Sequence, residues 1–113
     1  MKDYLFLFRG GDMSKLSPEE SQKHMQKWGD WMKGLANAGK FKGGEPLGKE
    51  AKVVKGTKKV VTDGPFAESK EMIGGYLIVT AENIDEAAEM AKGCPIYALN
   101  GITEVREIHH MDF

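Results

Sequence analysis

The chain has 113 residues, 41% of them apolar and 29% charged, enough for one compact domain over residues 1–113 and too apolar for a disordered chain. Sixteen basic against seventeen acidic residues leave a formal charge of −1, so no global basic surplus exists to displace counterions from a nucleic acid, and direct nucleic-acid binding is not expected. Cys94 is the single cysteine; with no disulfide partner and no zinc-type Cys/His spacing, it fits a reducing cytoplasm.

The opening "MKDYLFLFRGG" is bounded by Asp3 and Arg9 and is too short to span a membrane, so it reads as a strand over residues 3–8. Tyr4, Phe6 and Phe8 alternate with Leu5 and Leu7, which makes both faces apolar. "LSPEES" then offers Ser17 as N-cap, Pro18 at the first helical position and Glu20 for a capping box. Met25, Trp28, Met32, Leu35 and Ala36 recur at helical spacing, and Gly39 supplies the stop, predicting a helix over about Pro18–Ala38.

The Gly- and Lys-rich stretch 41–61 contains "AKVV" and "KKVV" around Gly56, a short peripheral hairpin. "MIGGYLIVTA", residues 72–81, is again apolar on both sides and reads as a second central strand. In "ENIDEAAEMAKGCP", Asn83 and Glu86 are spaced for a capping box, Ile84, Ala87, Ala88 and Ala91 form a stripe, and Gly93 with Pro95 terminates the helix. "ITEVREIHHM" reads as a last, partly exposed strand. This order predicts an α+β fold of ferredoxin-like split βαβ type with an extra hairpin. Two helices cover one sheet face only, so the two-sided strands call for a second copy on the other, a homodimer through the sheet face.

Between the hairpin and the second central strand lies "VTDGPFAESKE", residues 61–71. Gly64 and Pro65 make a stiff turn that aims Asp63 in one direction. Asp63 then has two readings: an Asx-type turn residue, or a carboxylate that apolar Phe66 desolvates into an acid/base group. Glu68, Lys70 and Glu71 suit either a polar ligand or a solvated loop, and Gly74 and Gly75 either a close backbone approach or a bulge.

"VTDGPFAESKE", the following "GGYLIV" and the "CP" after the second helix resemble the DGPF branch of the YCII-related family over essentially the whole chain. The resemblance implies a dimeric α+β barrel of ferredoxin-like protomers with a ligand cleft. It also implies lyase-type chemistry in some relatives, such as loss of halide from a chlorinated ring-cleavage product, and association of others with alternative sigma factors.

The expected function is a cofactor-independent acid/base lyase or isomerase acting on a small polar metabolite, against a non-catalytic ligand-binding or interaction module. Asp63 and His24 are the candidate catalytic pair. His24 falls on the flank of the first helix beside Trp31, where the alternative is a boundary histidine bonded to water. The family's histidine falls nearer Gly39, about where Trp28 stands here, so its dyad does not transfer directly. Trp28, Trp31, Phe66, Glu68 and Tyr76 are the candidate binding residues, with core packing as the other reading for the aromatics. His109 and His110 should alternate across an exposed edge. No converging metal ligands, cofactor site or membrane segment are expected.

Overall fold

The computed structural model of the chain describes residues 1–64 and 71–112. In chain order it contains β1 (Lys2–Arg9), α1 (Pro18–Asn37), β2 (Phe41–Pro46), β3 (Lys52–Lys55), β4 (Val60–Asp63), β5 (Ile73–Ala81), α2 (Ile84–Ala91), a 3₁₀ turn (Pro95–Leu99) and β6 (Ile102–Glu107). Four strands form an antiparallel sheet in the order β2-β5-β1-β6. The architecture is the ferredoxin-like α+β fold, with β3 and β4 paired separately as a two-stranded hairpin.

Strand periodicity divides the sheet cleanly. Tyr4, Phe6 and Phe8 of β1 and Leu77, Val79 and Ala81 of β5 are buried under the helices, while Leu5, Leu7, Tyr76 and Ile78 point the other way and stay partly exposed. Leu5 pairs with Ile78 and Leu7 with Tyr76, a continuous apolar strip along the centre of that second face. Around it stand the ion pairs Arg9–Glu104 at 3.2 Å and Lys42–Asp3 at 3.2 Å, with the His110 ring 2.9 Å from the Asp3 carboxylate. The molecule measures 46 × 45 × 19 Å, so it is one sheet and one helix layer deep, given roughly 10 Å between packed layers.

Helix α1 begins as the sequence dictates: Ser17 Oγ accepts from the Glu20 amide at 3.1 Å, and Glu20 Oε1 accepts from the Ser17 amide at 3.0 Å. It ends in a Schellman motif, with the Lys40 amide bonded to the Leu35 carbonyl at 2.9 Å, the Gly39 amide to Ala36 at 3.0 Å, and Gly39 at φ 74°. The buried stripe is shifted from the expected one. His24 and Leu35 are buried, Trp28, Trp31 and Met32 pack against the core, and Met25 is half exposed.

Helix α2 departs from expectation in two ways. The capping box is half formed: Asn83 Oδ1 accepts from the Glu86 amide at 2.9 Å, but the Glu86 carboxylate turns to Lys40 at 3.3 Å, an ion pair it makes across to the end of α1. Gly93 is not a left-handed stop. A Cβ there would lie 3.0 Å from the Trp31 indole, so the glycine admits that ring. The stripe reduces to Ala87 and Ala91, with Ile84 exposed.

Two further differences lie in the strands. β2 is an unexpected edge strand, because "FKGGEP" has two glycines and a proline where β-formers are usual. β6 ends at Glu107, ahead of both histidines. His109 lies against Glu107 at 3.2 Å and His110 against Asp3, so the expected alternation across a strand edge does not apply.

Two glycines, one inside α1 and one just past its C-terminus, predict opposite responses to one substitution. Gly34 lies inside the helix with nothing within 4 Å of an added Cβ, so Gly34→Ala should stabilise by about 0.5–1 kcal/mol. Gly39 needs its positive φ, so Gly39→Ala should cost about 1 kcal/mol. Urea unfolding of the two variants checks the signs.

Candidate functional site

A cavity of about 320 Å³ opens between α1 and the β2–β5 edge of the sheet. Its floor is poor in side chains. Phe8 pairs with Gly75, Gly44 pairs with Leu77, and Gly10 continues from β1, so the helix-facing side of the sheet has backbone where large residues would otherwise stand. The pairing at Gly44 is close: a Cβ there would lie 2.4 Å from the Tyr76 carbonyl oxygen. Between Phe8 and Arg9 the register with β5 slips, passing Gly74 as a bulge. Gly74 and Gly75 therefore mark a bulge and also border the cavity.

The roof is apolar and aromatic. Met25, Trp28 and Met32 descend from α1, with Phe8, Phe41 and Ile96 at the sides. Trp28 meets Phe8 edge-on with ring centroids 4.9 Å apart, and Trp31 edge-on at 5.7 Å. Methionines suit such a roof because their unbranched thioethers adapt to the shape beneath them.

His24 is the ionisable group in this roof, and only 8% of its surface is exposed. The Trp28 indole N–H, one turn along the helix, donates to His24 Nε2 at 3.0 Å. An indole can only donate, so Nε2 must hold its lone pair and the proton of the neutral ring resides on Nδ1. Among the described residues Nδ1 has no hydrogen-bond partner. Burial first, and the nearby Lys27 charge second, push the imidazole below its ordinary pKa. The ring is thus a neutral N–H donor in an apolar space, with the Trp28 indole on its other nitrogen.

Asp63 stands elsewhere. It closes β4 in the outlying hairpin, does not line the cavity, and is bound to Lys52 at 2.6 Å with its side chain 85% exposed. The expected His24–Asp63 couple is not assembled within the chain. Trp31 also faces away from the cavity: its indole donates to the Met90 carbonyl at 3.1 Å and its ring stacks on Phe6 at 6.2 Å, tying α1 to α2 and β1. Tyr76 borders the cavity, but strand alternation sends its ring to the opposite sheet face with Leu7. Phe66 and Glu68 lie outside the described residues.

Sequence reasoning passed over Phe41, Gly44 and Met13 as lining residues and took Met25 and Met32 for core. The glycine pairs "GG" at 43–44 and 74–75 were the available signal. Cys94 offers no nucleophile, since burial pushes its thiol up to about 11. Among the described residues no three His, Cys, Asp or Glu side chains group to hold a metal ion, and no helix is long and apolar enough to cross a membrane.

A ferredoxin-like domain with a glycine-floored apolar cavity beneath its first helix is the class that fold and geometry define. The chain belongs to the YCII-related domain family, which it matches over residues 4–112. No curated protein matches the sequence. Among solved structures it is similar in fold to 5-chloro-2-hydroxyhydroquinone dehydrochlorinase (TftG) from Burkholderia phenoliruptrix, in complex with 2,5-dihydroxybenzoquinone. The TM-score is 0.51 and the identity 18%, over 96% of this chain and 95% of that one.

The depressed imidazole sets a pH dependence. The unfolded chain binds a proton at His24 below about pH 6.5 while the folded chain resists it. Its contribution to stability is therefore present above that pH and lost as pH falls. His24→Gln should remove this part of the acid loss, read as a smaller fall in melting temperature between pH 7 and 5. Trp28→Phe, which frees Nε2 to take a proton, should raise the His24 pKa in an NMR titration.

Proposed function

We propose that the cavity binds a small planar molecule bearing a carbonyl or phenolic oxygen, and that the protein acts on it as a cofactor-independent lyase or isomerase. The setting is a cytoplasmic homodimer of the DGPF branch. The observation that carries this reading is the neutral His24 ring, held by Trp28 in an apolar cavity of about 320 Å³. A flat floor of peptide groups under tryptophan and methionine suits a ring. The Nδ1–H then supplies the polar contact that orients an acceptor oxygen.

The same donor fits the chemistry. When a base removes the proton next to a carbonyl, the electron pair moves toward the carbonyl oxygen, where Nδ1–H stabilises the growing charge. Its return expels a leaving group in a lyase or reprotonates carbon in an isomerase. His24 serves as the donor, since its Nε2 lone pair is engaged and loss of the Nδ1 proton from a neutral ring is prohibitive. The dihydroxybenzoquinone bound to the fold relative has the planar, oxygen-rich form this cavity would take.

A specific observation favours a second reading, a non-catalytic ligand-binding module. Asp63, the carboxylate expected to remove the proton, is exposed and salt-bridged to Lys52. Dimerisation belongs to both readings and is supported by the half-exposed Leu5, Leu7, Tyr76 and Ile78 strip.

Titration of 2,5-dihydroxybenzoquinone against tryptophan fluorescence tests the cavity. Binding to the wild-type chain is expected, weakened about tenfold in His24→Ala for one lost hydrogen bond and unchanged in His109→Ala. Equal affinity in the wild-type and His24→Ala chains would move the ligand elsewhere. For the enzyme reading, Asp63→Asn should abolish turnover of a halogenated hydroquinone while leaving quinone affinity and melting temperature in place; a lower melting temperature with unaltered ligand response would return Asp63 to the turn.

A further inference from the structure

Among the described residues no other element packs closely on the β3–β4 hairpin. All eight strand residues are exposed, and neither strand packs substantially against a helix or the four-stranded sheet among the described residues. Its apolar groups sit in water, with Val54 61% and Val61 59% exposed and directly paired. A two-stranded ribbon of four residues per strand is marginal at best on its own, and needs a further layer to persist. Among the described residues nothing in the chain supplies that layer.

Charge says which molecule would supply it. Residues 49–63 contain five lysines against Glu50 and Asp63, a net +3 in a chain whose total is −1, so the remaining residues carry −4. The hairpin is a basic, valine-bearing arm on an acidic body, and the acidic body nearest to hand in any solution of this protein is a second copy. The exposed carboxylates at the start of the helices, Glu19 and Glu20 on α1 and Asp85 on α2, are of the right sign to receive it.

We propose that the β3–β4 hairpin is an exchange arm, each copy laying its Val54–Val61 face on the other. Strand alternation puts Lys52 and Asp63 on that same face, because Lys52 pairs with Asp63 two residues along from the Val54–Val61 pair. The arm therefore carries the Asp63 carboxylate, already neutralised by Lys52 at 2.6 Å, into the contact with the second copy. This rests on the homodimer reading above but assigns the dimer a second contact, separate from the sheet-face strip.

The test uses the full chain in three forms: wild type, the sheet-face variant Leu7→Glu, and the arm variant Val54→Lys/Val61→Lys, whose substitutions lie at exposed positions. Sedimentation equilibrium gives the dimer dissociation constant, and amide hydrogen exchange reports on residues 52–55 and 60–63. The arm variant is expected to raise the dissociation constant at least about tenfold with unchanged circular dichroism and quinone binding. In the wild type the arm amides should be protected at concentrations where the dimer forms and lose protection on dilution. A wild-type monomer at 100 µM would remove the arm and the dimer together. A dimer broken by Leu7→Glu but untouched by the arm variant, with freely exchanging arm amides, would overturn the arm alone. So would arm protection that appears only on adding heparin, which would make the partner a polyanion.

Discussion

Everything about the site follows from how far α1 is held above the sheet. Phe6 and Phe8 from β1 meet Trp31 and Trp28 from α1 in one cluster of rings, with centroid separations from 4.9 to 6.2 Å. Rings of this size fix a large and rigid spacing between helix and strand. Over β1 the space is filled by the rings themselves. Over β2 and β5 the same helix height meets Gly44 and Gly75, and the volume that side chains would have occupied is left open. The cavity is thus a consequence of pairing two tryptophans on the helix with glycines on one side of the sheet.

The position of His24 inherits that geometry. It lies one turn before Trp28, so the indole that packs on Phe8 also reaches back to the imidazole at 3.0 Å. One residue therefore roofs the cavity, anchors the helix and determines which nitrogen carries the proton. Lys27, on the same helix, adds a cation that opposes a second positive charge on the ring. Burial and charge act in the same direction, which keeps the imidazole uncharged within its apolar surroundings.

Local signals in the sequence carried most of the fold. Ser17, Pro18, Glu20 and Gly39 specify the ends of α1 through their own backbone chemistry, and alternation in "YLFLF" and "YLIV" specifies two central strands with two apolar faces. What escaped was decided by tertiary contacts. β2 is a strand because β5 offers it a ladder, which overrides the low propensity of "FKGGEP". Gly93 looked like a helix stop and is a seat for Trp31, and Glu86 left the capping box for Lys40. The cavity was half legible. His24 could be placed on the right flank of α1, but the glycine floor draws on β1, β2 and β5 at once, and no window of sequence contains it. The separation of Asp63 from His24 within the chain was hidden for the same reason: it is a property of the sheet order, which sets the hairpin apart.

The signature turn can now be understood in part from its first two residues. Asp63 closes the hairpin ladder opposite Lys52, and the Gly64 amide donates to the Ala51 carbonyl at 3.2 Å, completing the base of the ribbon. A Cβ on Gly64 would lie 2.8 Å from the Ala51 side chain, so even alanine would push the two strands apart at the point where they leave the body. The need for glycine here is one of close approach, since its φ is not in the left-handed region. Asp63 and Gly64 therefore fix the direction in which the hairpin projects. The stretch that the sequence left open between a turn and a site thus begins as a structural closure of the ribbon, and where the Asp63 carboxylate can act is set by the direction in which the hairpin leaves the sheet.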